Sequence, residues 1–220
     1  MIKLFGRMIP AAVRGLTQPR LHGSQSVSTS FRVLPHDLDI NMHLNNGRYM
    51  QIIDVNRMEF ILRTGVARVI FDRRWKAVLG STTIQFRREL RLGDRAIAST
   101  RLVGWDTRWV FLEHRIETGA GRPVAIALAK AGFRHNGAWV PIETLRSALP
   151  YALGTMVLPP HVDAWRALDE ALAGQVTSCR DMLGDSRDDC HRPGSEFEIF
   201  AARRRKTPSE DRPVERIGAD

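Results

Sequence analysis

The spacing of hydrophobic residues predicts one long buried helix in the first third of the chain. After Asn45 and Asn46, residues of the expected inner face recur at intervals of three and four, the period of one helix face: Tyr49, Ile52, Ile53, Asn56, Phe60 and Ile61. Either asparagine can cap the first N–H groups, and Gly65 stands where a left-handed residue commonly ends a helix. We expect the charged positions at the surface: Asp54, Arg57 and Arg63. The high apolar content indicates a core helix wrapped by a sheet.

Alternating and β-branched runs on both sides of this helix predict strands. One run precedes the helix at 26–34, and an apolar run at 73–79 and an alternating run at 81–90 follow it. Further runs occupy 95–105, 108–118, 124–135 and 138–141, and Asn136-Gly137 closes the last hairpin. A long helix followed by consecutive hairpins implies an α+β fold with an antiparallel sheet around the helix.

Both ends of the chain differ from this central region. Residues 1–25 contain no acid and predict a basic amphipathic segment, broken near Pro10. A packed helix, a membrane-surface anchor and a transit sequence all fit it, and we favour packing or peripheral membrane contact through residues 1–16. Short helices are expected at 142–149 and 161–172, the second within a helical extension at 151–173. The polar, charge-alternating residues 174–220 predict a disordered tail.

Composition narrows the class of protein. The 220 residues are 43% hydrophobic, which suits one soluble core, and no stretch reaches the roughly 18 apolar residues of a membrane span. Cys179 and Cys190 make no disulfide framework, so we expect a reducing, cytoplasmic location. A cytoplasmic protein with peripheral membrane contact is the alternative. The net charge of +9 is spread along the chain without zinc-finger or RNA-binding signatures. We therefore expect no nucleic-acid partner, and no metal or redox cofactor.

Polar side chains are concentrated directly before the predicted helix: Asp37, Asp39, Asn41, His43, Asn45 and Asn46. A helix N-terminus carries free N–H groups and a partial positive charge, which stabilise an oxygen that gains negative charge. Asn46, Gly47 and Arg48 would supply these N–H groups, and Asn46 and Gly47 would contact the substrate oxygen. The layout predicts a site for attack on a carbonyl group.

These residues also carry a family resemblance. Asp-x-Asp-x-x-x-His-x-Asn-Asn-x-x-Tyr, and the longer DLDINMHLNNGRYM, resemble the catalytic segment of hotdog-fold thioesterases, including plant acyl-ACP thioesterases and the group related to 4-hydroxybenzoyl-CoA thioesterase. TIQFRREL, which ends near Glu89, and GWDTRWVFLEHRI are similar to further segments of this superfamily. The resemblance covers residues 26–149. It implies a long central helix wrapped by a curved antiparallel sheet over residues 26–150.

The resemblance also implies site residues. Asp39 matches the catalytic carboxylate, which acts as base toward water or as nucleophile, whereas Asp37 is expected in a turn. Asn41 would orient a water or the carboxylate through its amide, and His43 would hydrogen-bond Asp39 or relay a proton. An extended segment would put Asp39, Asn41 and His43 on one side.

Glu89 is the second carboxylate candidate, on a predicted strand face shared with Arg87. It would activate water if it points inward, or pair with an arginine if it points outward. The cysteine that follows this glutamate in the plant enzymes is Leu90 here, so a cysteine-dependent step is absent. Tyr49 would pack against the acyl chain or fill the core.

The sequence thus predicts a thioesterase of lipid metabolism that hydrolyses acyl-CoA, or acyl-ACP, to a free acid and a thiol. The resemblance implies a homodimer or homotetramer with the site at the dimer interface. Two alternatives remain at this point: a non-catalytic acyl-thioester-binding module of the same fold, and a hotdog dehydratase that uses His43 and Glu89.

Overall fold

A long helix and a six-stranded antiparallel sheet make up most of the structure. The structure is a computed structural model that describes residues 2–22, 25–151 and 157–182. Met1–Glu170 form one compact unit, which contains the sheet, and Ala171–Asp220 form a second. The elements in chain order are α1 (Ile2–Thr17), β1 (Val27–Arg32), a 3-10 turn (Pro35–Asp37), α2 (Asn46–Arg63), α3 (Val66–Asp72), β2 (Lys76–Phe86), β3 (Arg95–Trp105), β4 (Val110–Thr118), β5 (Pro123–His135), β6 (Ala138–Val140), α4 (Ile142–Ala148) and α5 (Pro160–Met182).

The sheet curls around α2 with the strand order β1-β3-β4-β5-β2, and β6 pairs with β5. All pairings are antiparallel. Alternate residues of β3 and β5 face the helix as small side chains, among them Ala96, Ala98, Ala125 and Ala127, all buried. Small residues let the helix lie close to the sheet, so the main core forms between them. This confirms the predicted α+β layout with a wrapped helix.

The ends of α2 follow the local sequence. The Asn45 side chain caps the helix by accepting the Gly47 N–H, and Gly65 has a φ of +74° after the C-terminus. The prediction that Arg57 is exposed is wrong, because its side chain is 10% exposed and pairs with Asp54. Burial of Glu59 was not predicted either. Charged side chains on the inner face of α2 are accommodated because each has a partner.

The chain between α2 and β3 differs from the prediction in two ways. Helix α3 begins directly after Gly65, where no helix was predicted. The two runs at 73–79 and 81–90 form a single strand, β2, with an irregularity between Leu79 and Ser81. This strand ends at Phe86, because the N–H groups of Arg87 and Arg88 both turn to the Val124 carbonyl. The predicted strand position of Glu89 is therefore wrong.

Helix α1 packs against α2, which agrees with one of the favoured interpretations of the N-terminal segment. It continues through Pro10, so the predicted break is wrong. Two ion pairs hold it to the rest of the molecule: Arg7 to Asp37 at 2.5 Å and Arg14 to Glu59 at 2.7 Å. An apolar stripe on its other side stays exposed: Ile9, Val13 and Leu16. Membrane contact through this helix remains a prediction.

Helix α5 covers part of the outer face of the sheet. Val162 and Trp165 pack against Phe111 and Leu128, and Asp169 pairs with Lys130. The helix extends to Met182, so the predicted helix end at 172 and the predicted start of a disordered tail at 174 are both wrong. No proline interrupts this stretch. The rest of the predicted tail, 183–220, lies outside the described residues.

None of the helices that the structure describes combines the length and apolar character that a bilayer crossing requires.

A chain of buried and partly buried hydrogen bonds runs from His114 of β4 to Glu59 of α2, which pairs with Arg14 of α1. His114 Nδ1 lies 2.9 Å from Thr100 Oγ1, which donates to Asn56 Oδ1 at 2.5 Å. Asn56 Nδ2 donates to Thr29 Oγ1, and Thr29 Oγ1 donates to Glu59 Oε2, each at 3.0 Å. Since Thr100 gives its proton to Asn56, His114 must donate from Nδ1. Its Nε2 is then a buried acceptor without a partner in the described chain.

The pKa of His114 sets a pH dependence of folding stability. Burial, and secondarily the charge of Arg57, lower this pKa from 6.5 to about 3. The unfolded chain therefore binds a proton below pH 6.5 that the folded chain does not bind. Stability that is present above pH 6.5 is lost as the pH falls.

We expect the free energy of unfolding to fall between pH 6.5 and 5 by up to about 1.4 kcal/mol per pH unit from this residue. His114→Asn keeps an amide donor toward Thr100 but cannot titrate, so its slope should be lower by about this amount. Urea denaturation across this pH range measures both slopes. His135→Gln, at an exposed histidine, is the control and should keep the wild-type slope. Equal slopes in wild type and His114→Asn would contradict this account.

Candidate functional site

The residues ahead of α2 form a tight turn rather than the predicted extended segment. The Asp39 N–H donates to the His43 carbonyl at 2.9 Å, and the Met42 N–H donates to the Asp39 carbonyl at 3.1 Å. Met42 takes a left-handed φ of 61°. Because the chain reverses here, Asp39, Asn41 and His43 do not alternate along one face, and that prediction is wrong.

The turn orients the carboxylate of Asp39. Its Oδ1 accepts the backbone N–H groups of Asn41 at 2.9 Å and His43 at 3.3 Å. Its Oδ2 accepts no hydrogen bond from the residues that the structure describes, and the side chain is half-buried. The backbone of Asn41, not its exposed side-chain amide, thus positions this carboxylate. Asp39 is fixed through one oxygen and leaves the other available to a water or a substrate.

His43 and Glu89, which the sequence proposed separately, form one pair. His43 Nε2 lies 3.0 Å from Glu89 Oε2. The two meet because the Leu44 N–H donates to the Leu90 carbonyl at 2.8 Å, and because His43 and Arg91 form a β-bridge. The imidazole of His43 therefore contacts Glu89, while its backbone N–H contacts Asp39. Both side chains are partly exposed, as a group that handles protons requires.

Arg91 completes this cluster, and the sequence did not indicate it. Its Nε and Nη2 donate to Glu89 Oε1 at 2.9 and 2.6 Å. Glu89 is thus shared between the histidine and an arginine, as the expected pairing with an arginine requires. Activation of water by Glu89 stays a prediction.

The start of α2 offers fewer free donors than expected. The Gly47 N–H is taken by Asn45 Oδ1 at 2.9 Å, and the Arg48 N–H by the Asn45 carbonyl at 2.8 Å. Capping uses these groups, so they are not available to a substrate oxygen in this conformation. The Asn46 N–H has no acceptor within the described residues, which makes it the remaining candidate donor.

Tyr49 is a core residue. It is 2% exposed, and its ring meets Phe86 edge-on at a centroid distance of 5.1 Å. Burial raises the pKa of Tyr49 to about 12; a hydrogen bond with the Leu90 backbone opposes this rise and the charge of Glu89 adds to it. The phenol therefore stays protonated at neutral pH and packs the helix against β2.

Asp37 has the turn role that was expected. This buried carboxylate accepts the Leu34 N–H at 2.9 Å and Arg7 Nη2 at 2.5 Å, and its carbonyl accepts the Asn45 N–H at 2.9 Å. It joins α1, the turn and the cap of α2. The sequence did not predict the contact between Arg7 and Asp37; it showed only that Arg7 lies in a segment without acidic residues.

No group of three or more His, Cys, Asp or Glu side chains in the described part of the chain is arranged to hold a metal ion.

Substitution of Asp37 and of Asp39 should change the free energy of unfolding by different amounts. Asp37→Asn would set an amide against Arg7 in a buried site, so we expect a loss of about 2–3 kcal/mol of unfolding free energy. Asp39→Asn keeps an oxygen that accepts both backbone N–H groups, so we expect a change within about 1 kcal/mol. Urea denaturation at pH 7 measures both, with the exposed Asp72→Asn as control. Equal losses for the two variants would argue against these separate roles.

Comparison with known proteins relates this arrangement to a family. Over 157 residues the chain is 27% identical to Protein THEM6 of Xenopus laevis, which covers 71% of this chain and 75% of the relative. It is 28% identical over 102 residues to the thioesterase lcsJ of Purpureocillium lilacinum, over 38% of this chain and 33% of that protein.

The fold matches solved structures as well. SAV2348 of Staphylococcus aureus, solved in complex with CoA, aligns with a TM-score of 0.52 and 14% identity, over 65% of this chain and 95% of that one. This likeness supports the hotdog fold. The family model of the Thioesterase-like superfamily matches residues 33–165, which include the turn, α2, strands β2 to β6 and the start of α5. The chain therefore belongs to the Thioesterase-like superfamily.

Proposed function

We propose that this chain is a thioester hydrolase that cleaves acyl-CoA to a free acid and the CoA thiol. Membership of the superfamily supports thioester hydrolysis as the class of reaction. The observation that carries the proposal is the carboxylate of Asp39, which two backbone N–H groups hold through one oxygen beside the start of α2. Its second oxygen is in a position to accept a proton from water.

In the proposed reaction, a water attacks the thioester carbonyl and gives its proton to Asp39 Oδ2. The carbonyl oxygen becomes an oxyanion, which the Asn46 N–H and the helix N-terminus stabilise. The tetrahedral intermediate then collapses, the carbon–sulfur bond breaks and the thiolate leaves. The products are the acid and, after protonation, the thiol.

His43 would protonate the departing thiolate. An imidazole gains and loses protons near neutral pH, which suits this step. Glu89, at 3.0 Å, would orient the ring, and Arg91 in turn holds Glu89. These contacts support His43 as the proposed acid and Glu89 as a proposed positioning residue.

Direct attack by Asp39 on the thioester is the alternative within the same site. It would form a mixed anhydride between Asp39 and the acyl group, which water then hydrolyses. A single turnover in ¹⁸O-water distinguishes the routes, because label in the Asp39 carboxyl identifies direct attack.

Asp39→Asn should lower the rate of thiol release from acyl-CoA at least about 100-fold, because the amide cannot take a proton from water. The measurement uses purified wild type and variant with acyl-CoAs of short, long and aryl acyl groups. The control is Asp72→Asn, at an exposed carboxylate on α3 outside the proposed site. Both variants are checked for folding by circular dichroism.

Other results would change the assignment. Tight acyl-CoA binding without thiol release in the wild type would indicate a binding module. An enoyl product from a hydroxyacyl-CoA would indicate a dehydratase. A preference for acyl-ACP over acyl-CoA would change the proposed carrier, but the proposed reaction would still be thioester hydrolysis.

We further propose a homodimer formed through β2. This strand bonds to β5 on one side, and among the described residues no strand pairs with its other side. It is eleven residues long and exposes Leu79 and Phe86. A long exposed edge with apolar side chains favours pairing with another chain. Phe86 also contacts Tyr49 at the start of α2, so a partner on this edge would lie near the site.

Lysines on this edge should prevent the pairing. We expect wild type to sediment at twice the chain mass of 24.9 kDa, and Leu79→Lys/Thr83→Lys to sediment mainly as a monomer. Ser28→Lys, on the opposite edge strand β1, is the matched control and should remain dimeric. A monomeric wild type, or a double variant that stays dimeric, would refute the β2 interface.

A further inference from the structure

An open cleft adjoins the His43–Glu89 pair. This open cleft has a volume of about 480 Å³ and lies between the segment after β2, the start of β3 and the turn that follows β4. Four arginines and two carboxylates contribute to its walls: Arg88, Arg91, Arg95, Arg122, Glu89 and Asp94. The cleft is thus a positively charged surface beside the proposed catalytic groups.

Three of these guanidinium groups have no ion-pair or hydrogen-bond partner among the described residues. Both carboxylates already have partners: Glu89 binds His43 and Arg91, and Asp94 accepts the Arg91 N–H at 2.8 Å. Within the described part of the chain, the side chains of Arg88, Arg95 and Arg122 form no ion pair and no hydrogen bond. Three like charges that line one cleft without counterions attract an anion.

Hydrogen-bonded backbone holds these arginines in place. The Thr118 N–H donates to the Arg122 carbonyl at 2.9 Å, and the Arg122 N–H donates to Thr118 Oγ1 at 3.2 Å. The Gly119 N–H donates to the Arg95 carbonyl at 3.2 Å, so the same turn also fixes the start of β3. Such a framework lowers the ordering cost of binding.

Glu89 connects the cleft with the proposed site. Its Oε2 faces His43, and its Oε1 faces Arg91 in the cleft wall. A substrate whose thioester lies near Asp39 can therefore extend past Glu89 into the cleft. In CoA, the pantetheine arm separates the thioester from the phosphates.

We propose that Arg88, Arg95 and Arg122 bind the phosphate groups of the CoA carrier. This inference rests on the proposed thioesterase function and adds the residues that would bind the phosphates of the carrier. Guanidinium groups bind phosphate oxygens with paired, charge-assisted hydrogen bonds. CoA carries a pyrophosphate and a 3′-phosphate, whereas the prosthetic group of ACP carries a single phosphodiester. Three free guanidinium groups match the larger charge of CoA.

The test compares one acyl group on two carriers, CoA and pantetheine, which lacks the nucleotide phosphates. For Arg95→Gln/Arg122→Gln we expect KM for acyl-CoA to rise roughly tenfold or more, since each lost charged hydrogen bond has that effect. The kcat for acyl-CoA and the KM for acyl-pantetheine should stay at wild-type values. Arg68→Gln removes an exposed arginine of α3 and should change neither substrate's KM.

Binding of CoA alone, measured by calorimetry, separates this proposal from the proposed function. Loss of CoA binding in the double variant would support the phosphate site even if the wild type releases no thiol. The inference is overturned if the double variant keeps wild-type KM and affinity for CoA. It is also overturned if KM rises equally for both carriers, or if the wild type uses acyl-ACP and binds no CoA.

Discussion

The structure depends on the pairing of charged groups around a helix that the sheet encloses. Helix α2 places Asn56, Arg57 and Glu59 in the interior, where an unpaired charge would be costly. Glu59 is satisfied by Arg14 of α1 and Thr29 of β1. The same helix α1 supplies Arg7 to Asp37, at the turn that precedes α2. The N-terminal helix is therefore part of the core and of the support for the site.

The candidate site combines local and distant contacts. The turn around Asp39 and the cap on Asn45 are built from residues close in sequence, and they position the carboxylate and the helix N-terminus. Glu89 and Arg91 come from the segment after β2 and are held there by backbone bonds to the turn. Proton handling by His43 would thus depend on where the sheet places that segment. In the proposed reaction, the cleft beyond Glu89 would extend the site toward the carrier.

Local chemistry explains which features were predictable from the sequence. The ends of α2 and β3 were found because a capping asparagine, turn residues and regular spacing mark them. Asp39, His43 and Glu89 were identified by the family motif. The turn before α2 was not predicted because alternating polar residues also fit an extended segment. The hydrogen bonds from two backbone N–H groups to the Asp39 carboxylate favour the turn over the extended segment. Contacts between distant segments left no local sign: Arg7 with Asp37, Arg14 with Glu59, and Glu89 with His43.

The position of α1 has a consequence for how this chain can be divided. The superfamily match begins at residue 33, after both α1 and β1. A fragment cut at that boundary would retain Asp37 and Glu59 but lose both of their arginine partners. Two buried carboxylates would then lose their guanidinium partners, one at the turn before α2 and one where α2 faces α1 and β1. A fragment that starts at residue 33 is therefore expected to be less stable than a chain that keeps α1.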